Sequence, residues 1–289
     1  MHPTRDRSAV TAGGVSDRAT LAARAAVLRP DGVELSASGG TRRVALNGRA
    51  MVVKRVAGDR EAATVAAVLR ALEAADFDAA PRLVGAARVG VEWYVVTEWI
   101  PGNGPGFDGA SWVMDVAPSL LIRLRECVVV PAWRCEVAWW MTLAPYFVAD
   151  EVAAPLVARL AGSRERAWAG PRTLAHGDCS LQNAVSTDGG PVLIDWEYAG
   201  SAPLGFDAGW LLAFTRSGVH GDVDVAALQA RLSADGFDDA ALSWFEGLGM
   251  LRLLFRARQL ADAPTRHRVV GHLEAAVTAL ATTWHRADG

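Results

Sequence analysis

The stretch Leu174-Ala-His-Gly-Asp-Cys-Ser-Leu-Gln-Asn183, followed a few residues later by Val192-Leu-Ile-Asp-Trp-Glu197, decides how this chain is read. Asp178 lies in a polar loop, Asn183 comes five residues after it, and Asp195 closes an apolar β-rich run. A short strand and hairpin, turning at Asp188-Gly189-Gly190, separates the two parts. Chemically the set is a carboxylate that can accept a proton, plus an amide oxygen and a second carboxylate of the kind that hold Mg²⁺. Phosphoryl transfer from ATP to a hydroxyl needs those three groups. Gly-Asp alone is common in turns, so the weight rests on the combination.

Working outward toward the N-terminus, Arg43–Val56 contains two β-rich runs joined at Asn47-Gly48, the dipeptide that most strongly signals a tight hairpin. The second run carries Lys54, the one lysine among 29 basic residues. Arginine is a rigid fork and lysine a compact point charge, so a lone lysine in an arginine-biased chain points to a position where guanidinium cannot substitute, with a chance surface lysine as the alternative. Asp59 can cap a helix running to about Ala75, with Val65, Val68, Leu69 and Leu72 on one face and Glu61 in the first turn. Strands are expected over Arg82–Val89 and Glu92–Ile100, and Pro101-Gly-Asn-Gly-Pro-Gly106 then breaks regular structure. Residues 110 to 170 read as helices interrupted near Val129-Val130-Pro131, and helical patterns return from Phe206 onward, including Ala241–Ala261 and Arg266–His285. The expected architecture is α+β: an N-terminal lobe, residues 1 to 100, with a five-stranded antiparallel sheet and one key helix, and a mostly helical lobe over 101 to 289.

Composition narrows the partners. With 289 residues and 51% hydrophobic content the chain can bury a sizeable core. A formal charge of −3 provides no basic field for nucleic acid or an anionic membrane. Cys127, Cys135 and Cys179 form no CxxC pair and no even framework, which fits free thiols in a reducing cytoplasm. The first twenty residues hold no apolar run for a signal peptide, and no stretch is long enough to span a bilayer. These features lead to the expectation of a cytoplasmic protein; nothing in them fixes the oligomeric state.

The HGDxxxxN pattern at His176–Asn183 and the Ile194-Asp-Trp196 tripeptide resemble the aminoglycoside phosphotransferase and choline kinase superfamily, which has a bilobal protein-kinase-like fold. The resemblance extends from about residue 20 to 285, its specific motifs over about forty positions. It implies Asp178 as catalytic base, with Asn183 and Asp195 as Mg²⁺ ligands. It implies ATP as phosphoryl donor, Lys54 on its α- and β-phosphates, and Glu61 orienting that lysine. A favourable charge at a helix N-terminus is the structural alternative for Glu61. The turn ending in Ser38, Gly39, Gly40 and Thr41 stands where a phosphate-covering loop belongs, without the GxGxxG pattern of protein kinases. Glu98, Trp99 and Ile100 would contact adenine through their backbone.

Two departures narrow the acceptor. Gly177 stands where protein kinases have the Arg of HRD, and only eleven residues separate Asp195 from Asp207, too few for an activation segment and peptide platform. A small hydroxyl acceptor is therefore expected rather than a protein. In the superfamily an Asp at the position of Asp207 ties its helix to the catalytic loop, and His176 packs to fix that loop while the Asp takes the proton. Cys179 lacks a histidine in the context that would make it a nucleophile. Between Asn103 and Glu151 six acids face three bases, a mild imbalance, whereas Trp112, Trp133, Trp139 and Trp140 offer rings for an acceptor or for helix packing. A hydroxylated antibiotic of the aminoglycoside type is the first acceptor class; a sugar, amino sugar or amino alcohol is the second. A nucleotide-binding pseudokinase is a third reading, disfavoured because Lys54, Glu61, Asp178, Asn183 and Asp195 are all retained.

Overall fold

A computed structural model of the protein describes residues 17–28, 33–35, 40–102, 106–127 and 134–287. The chain forms two compact units, one of residues 1–70 and 81–99, the other of residues 71–80 and 100–289. Ser38, Gly39, Trp133 and the Val129-Val130-Pro131 break lie outside the described residues.

The first unit contains α1 (Asp17–Leu28), β1 (Val33–Glu34), β2 (Thr41–Leu46), β3 (Arg49–Val56), the start of α2 (Asp59–Ala74), β4 (Leu83–Val89) and β5 (Glu92–Glu98). Its strands make one antiparallel sheet in the order β1-β2-β3-β5-β4. Asn47 and Gly48, at φ 51° and 74°, turn β2 into β3; two consecutive positive φ values match the right-handed strand twist. Alternation along β3 buries Met51 and Val53 on one face, so Lys54 belongs to the other.

The face of Met51 and Val53 is covered by α1, a second helix beyond the single one expected for this part of the chain. Ala19, Ala22, Ala23 and Ala26 recur at helical spacing, are all buried, and join Val44, Met51, Val53, Ala87, Tyr94 and Val96 in one cluster. In an alanine-rich sequence that spacing hardly stands out, yet small side chains let a helix lie close on a sheet.

The second unit starts with a helical run: α3 (Gly109–Ser111), a π-helical turn at Trp112–Val116, and α4 (Ala117–Arg125). After it come α5 (Cys135–Phe147) and α6 (Ala154–Trp168). Three short strand segments follow: β6 (Arg172–Ala175), the hairpin β7 (Ala184–Thr187) and β8 (Gly190–Leu193), and β9 (Gly200–Pro203), which pairs antiparallel with β6. The chain ends in α7 (Phe206–Arg216), α8 (Val225–Ala234), α9 (Asp239–Arg258) and α10 (Ala263–Ala287). Helix α9 is central, burying Trp244, Phe245, Leu248, Leu251 and Leu254 against α5, α6 and α10. A Cβ at Gly209 of α7 would stand 2.5 Å from the Phe245 Cβ and 2.8 Å from α9 backbone atoms, so glycine permits the close approach of α7 and α9. Among the described residues no helix is long and apolar enough to cross a membrane.

Candidate active site

The β6–β9 pairing sets Ala175 opposite Gly200 and so brings the loop after β6 beside the turn before β9. In that loop the ring of His176 accepts the Asp178 N–H at Nδ1 (3.2 Å), which leaves Nε2 to donate to the Ile194 carbonyl at 2.8 Å. The imidazole is wholly buried and meets the Trp196 ring edge-on at 4.5 Å. His176 thus links the two motifs and has no nitrogen left to take a proton from an acceptor.

Asp207, buried at the start of α7, accepts the backbone N–H groups of His176 (2.6 Å) and Gly177 (2.9 Å). Burial pushes its carboxyl up, against the pull of His176 and the two N–H groups. Gly177 has φ 83°, and a Cβ there would come within 2.3 Å of the Tyr198 carbonyl oxygen. An arginine in this position has no room.

Asp178 and Asn183 are brought together. The Asn183 amide donates to the Asp178 carbonyl at 2.9 Å and to Asp178 Oδ2 at 3.3 Å. Both partners are acceptors, so the amide nitrogen faces Asp178 and the amide oxygen is the atom left for a cation. Ile194 donates its N–H to the Asn183 carbonyl at 2.8 Å, which places the backbone of Asp195 one residue from this contact. Asp195 has φ 67° and ψ 57°, a left-handed conformation costly for a residue with a side chain. Its carboxylate and the Asn183 amide are hard oxygen donors suited to Mg²⁺.

Two residues at this site escaped the sequence reading. Trp210 of α7 donates Nε1–H to Asp178 Oδ1 at 3.3 Å, and Arg252 of α9 reaches the same oxygen through Nη1 at 3.2 Å. Arg252 is 1% exposed and lies over the rings of Trp139, Trp210 and Tyr198, at 4.1, 4.4 and 5.0 Å to their centroids. Burial pulls its guanidinium down to about 10, with Asp178 acting in the other direction, and it remains a cation at neutral pH. The available signal was a lone charge inside the apolar run Gly247–Phe255. Cys179 is buried, and burial, then Asp207 and Asp178, push its thiol well up, so it stays protonated.

Lys54 is half-buried on β3 with Thr41 and Val95 as cross-strand neighbours, and the Gly40 carbonyl accepts from Arg55 N–H at 2.7 Å. Glu61 Oε2 accepts the Ala57 N–H at 2.9 Å, closing the N-terminus of α2. Glu98 and Trp99 commit their N–H groups to the carbonyls of Arg82 (2.9 Å) and Ala50 (3.1 Å), so neither N–H is open to a base. Ile100 follows directly, at the start of the second unit.

Of the described tryptophans considered for the acceptor, Trp112 is core, Trp140 packs against Trp244 at 5.6 Å, and Trp139 reaches the site, over Arg252. Several carboxylates of this segment are already engaged. Asp108 caps α3, buried Glu136 pairs with Arg134 (3.0 Å) and Arg172 (2.9 Å), and Asp150 pairs with Arg258 at 2.6 Å.

Comparisons with known proteins bear on the fold and the family. A search of the curated proteins finds no significant match. Among solved structures, a thermostable mutant of aminoglycoside phosphotransferase APH(4)-Ia, in a ternary complex with ADP and hygromycin B, is similar with a TM-score of 0.63 at 14% identity, over 86% of this chain and 93% of that one. The AMP-bound spectinomycin phosphotransferase APH(9)-Ia gives 0.54 at 14% identity over 84% and 90%. An aminoglycoside-3′-phosphotransferase of type VIII gives 0.52 at 20% identity over 75% and 90%. These likenesses establish the kinase-like α+β fold of the aminoglycoside phosphotransferases. The sequence profile described as the phosphotransferase enzyme family matches residues 33–245, and the chain belongs to that family.

Proposed function

We propose that this phosphotransferase moves the γ-phosphate of ATP onto a hydroxyl group of a small molecule, with Asp178 as the base. The observation that supports the reading is the Asp178–Asn183 contact: the amide nitrogen faces Asp178, which leaves the amide oxygen available to a cation and a carboxylate beside it that could take a proton. Asn183 and Asp195 would hold Mg²⁺, which supplies charge neutralisation on the transferring phosphoryl group when bound. Lys54 is assigned to the α- and β-phosphates, with Glu61 close in sequence to orient it; Gly40, Thr41 and the backbone of Glu98, Trp99 and Ile100 are assigned to nucleotide contacts. For Glu98 and Trp99 those contacts fall to groups other than their N–H.

A hydroxylated antibiotic of the aminoglycoside type is the first acceptor class, in keeping with the solved relatives. A specific observation favours testing a second class, sugars, amino sugars and amino alcohols, beside it: with Asp108, Glu136 and Asp150 engaged elsewhere, fewer carboxylates remain to replace water around each ammonium of a polycation. The test is Mg²⁺-dependent ADP release from ATP across a panel of both classes, with Asp178→Asn as control. Stimulation by one acceptor, lost in the control, supports the reading and selects the class. Transfer to an authentic acceptor at an undiminished rate in the control removes Asp178 as base.

A further inference from the structure

A buried cation needs a reason. Arg252 is enclosed by the rings of Trp139, Trp210 and Tyr198, and its Nε and Nη2 make no hydrogen bond. Taking a guanidinium out of water is costly, and for packing alone a methionine would serve as well. Beyond the ring faces, its hydrogen bonds come from one atom, Nη1, which donates to Asp178 Oδ1 at 3.2 Å and to the Gly177 carbonyl at 3.3 Å. Oδ1 also receives the indole N–H of Trp210 from a different helix. Two donors on separate helices therefore meet on one carboxylate oxygen, while Oδ2 has a single contact of similar length, 3.3 Å, from the Asn183 amide.

We infer that Arg252 is a positioning residue for the phosphoryl transfer: it fixes Asp178 through Oδ1, so that Oδ2 is the oxygen that meets the acceptor hydroxyl. The inference rests on the reading of Asp178 as base. In the step, the acceptor oxygen forms its bond to the γ-phosphorus as its proton passes to Oδ2; the bond from that phosphorus to the bridging oxygen breaks, and ADP departs with the electron pair. A carboxylate free to rotate would present either oxygen, and the clamp removes that freedom before the acceptor arrives. Among the described residues, Asp178 is the carboxylate that the enclosed guanidinium pairs with.

The test compares wild type with Arg252→Met, which fills the aromatic enclosure without a charge, and with Arg252→Ala in the presence and absence of dilute guanidinium chloride. It measures melting temperature, kcat and KM for ATP in Mg²⁺-dependent ADP release with water as the acceptor, and the indole N–H resonance of Trp210. Arg252→Met is expected to keep KM and fold while kcat falls roughly tenfold or more and the Trp210 resonance moves. Guanidinium restores part of the rate of Arg252→Ala. Wild-type kcat in Arg252→Met overturns the inference, as does a joint fall of kcat, KM and melting temperature without rescue. If neither Arg252 variant folds, Trp210→Phe removes one donor on Oδ1 and keeps the ring; a several-fold lower kcat at constant KM supports the clamp, and an unchanged kcat overturns it. A wild type inactive with water and with every acceptor sinks the reading of Asp178 as base, whereas an unmoved Trp210 resonance in Arg252→Met sinks the clamp whatever the activity.

Discussion

Asp178, which carries the proposed chemistry, is also half of an ion pair with a buried partner, and any substitution there acts on both. Asp178→Ala strands the Arg252 cation; removing one partner of a buried pair costs about 3–5 kcal/mol, so lost activity in that variant would mix misfolding with chemistry. Asp178→Asn keeps an acceptor oxygen beside Arg252 and removes the base. It should lose transfer by roughly two to four orders of magnitude, the range that general-base catalysis contributes, and retain ATP affinity by titration. Asp195→Ala should weaken Mg·ATP binding as well as transfer; equal nucleotide affinity in the two variants would contradict the division of roles. His220 makes a separate prediction about pH. Both of its ring nitrogens are buried without a hydrogen-bond partner, and burial lowers its pKa to about 4. The unfolded chain takes up a proton near pH 6.5 that the folded chain refuses, so stability is complete above that value and declines toward pH 4, by about 3 kcal/mol. Melting temperatures across that range should show the slope in wild type, and His220→Leu should flatten it.

At the scale of elements, local signals were legible where the physics is local. The β2–β3 hairpin follows from Asn47-Gly48 and α2 from the spacing of its apolar residues, both within a few positions of the expected limits. Helix α1 was not read because four alanines at helical spacing differ little from an alanine-rich background, and the sheet that makes them a core lies downstream. Capping is likewise local: Asp224 accepts from Ala226 and Ala227 N–H at the start of α8, and Asp224→Ala should cost about 1 kcal/mol in urea unfolding. The α7–α9 contact is of another kind. Gly209→Ala would place a methyl group within 3 Å of α9, and overpacking of this sort costs about 1–3 kcal/mol. Since Trp210 and Arg252 ride on these two helices, the variant should also lower kcat beyond what its stability loss explains. Gly209→Ala with a lower melting temperature and full kcat would mean that the helices can separate without disturbing Asp178.

For the whole molecule, the donor set makes a prediction about metal. Among the described residues no group of three or more His, Cys, Asp or Glu side chains could hold an ion, and the proposed ligands, Asn183 and Asp195, are only two side chains. Mg²⁺ keeps most of its water unless phosphates complete the shell. A chelator should therefore leave the melting temperature of the nucleotide-free protein unchanged, whereas Mg²⁺ and ATP together should raise it. A thermal shift on chelation alone would reveal a resident ion instead. The candidate base, the asparagine and the second aspartate could be picked out because their chemistry is written in short-range spacing: five residues from Asp178 to Asn183, and an apolar run ending at Asp195. The surroundings of that base could not. Trp210 and Arg252 stand 32 and 74 residues beyond Asp178 and resemble ordinary helix residues until the packing of α7 on α9 carries both to one carboxylate oxygen. Spacing along the chain encodes which groups are available, but the direction in which a carboxylate faces depends on donors that arrive through the core.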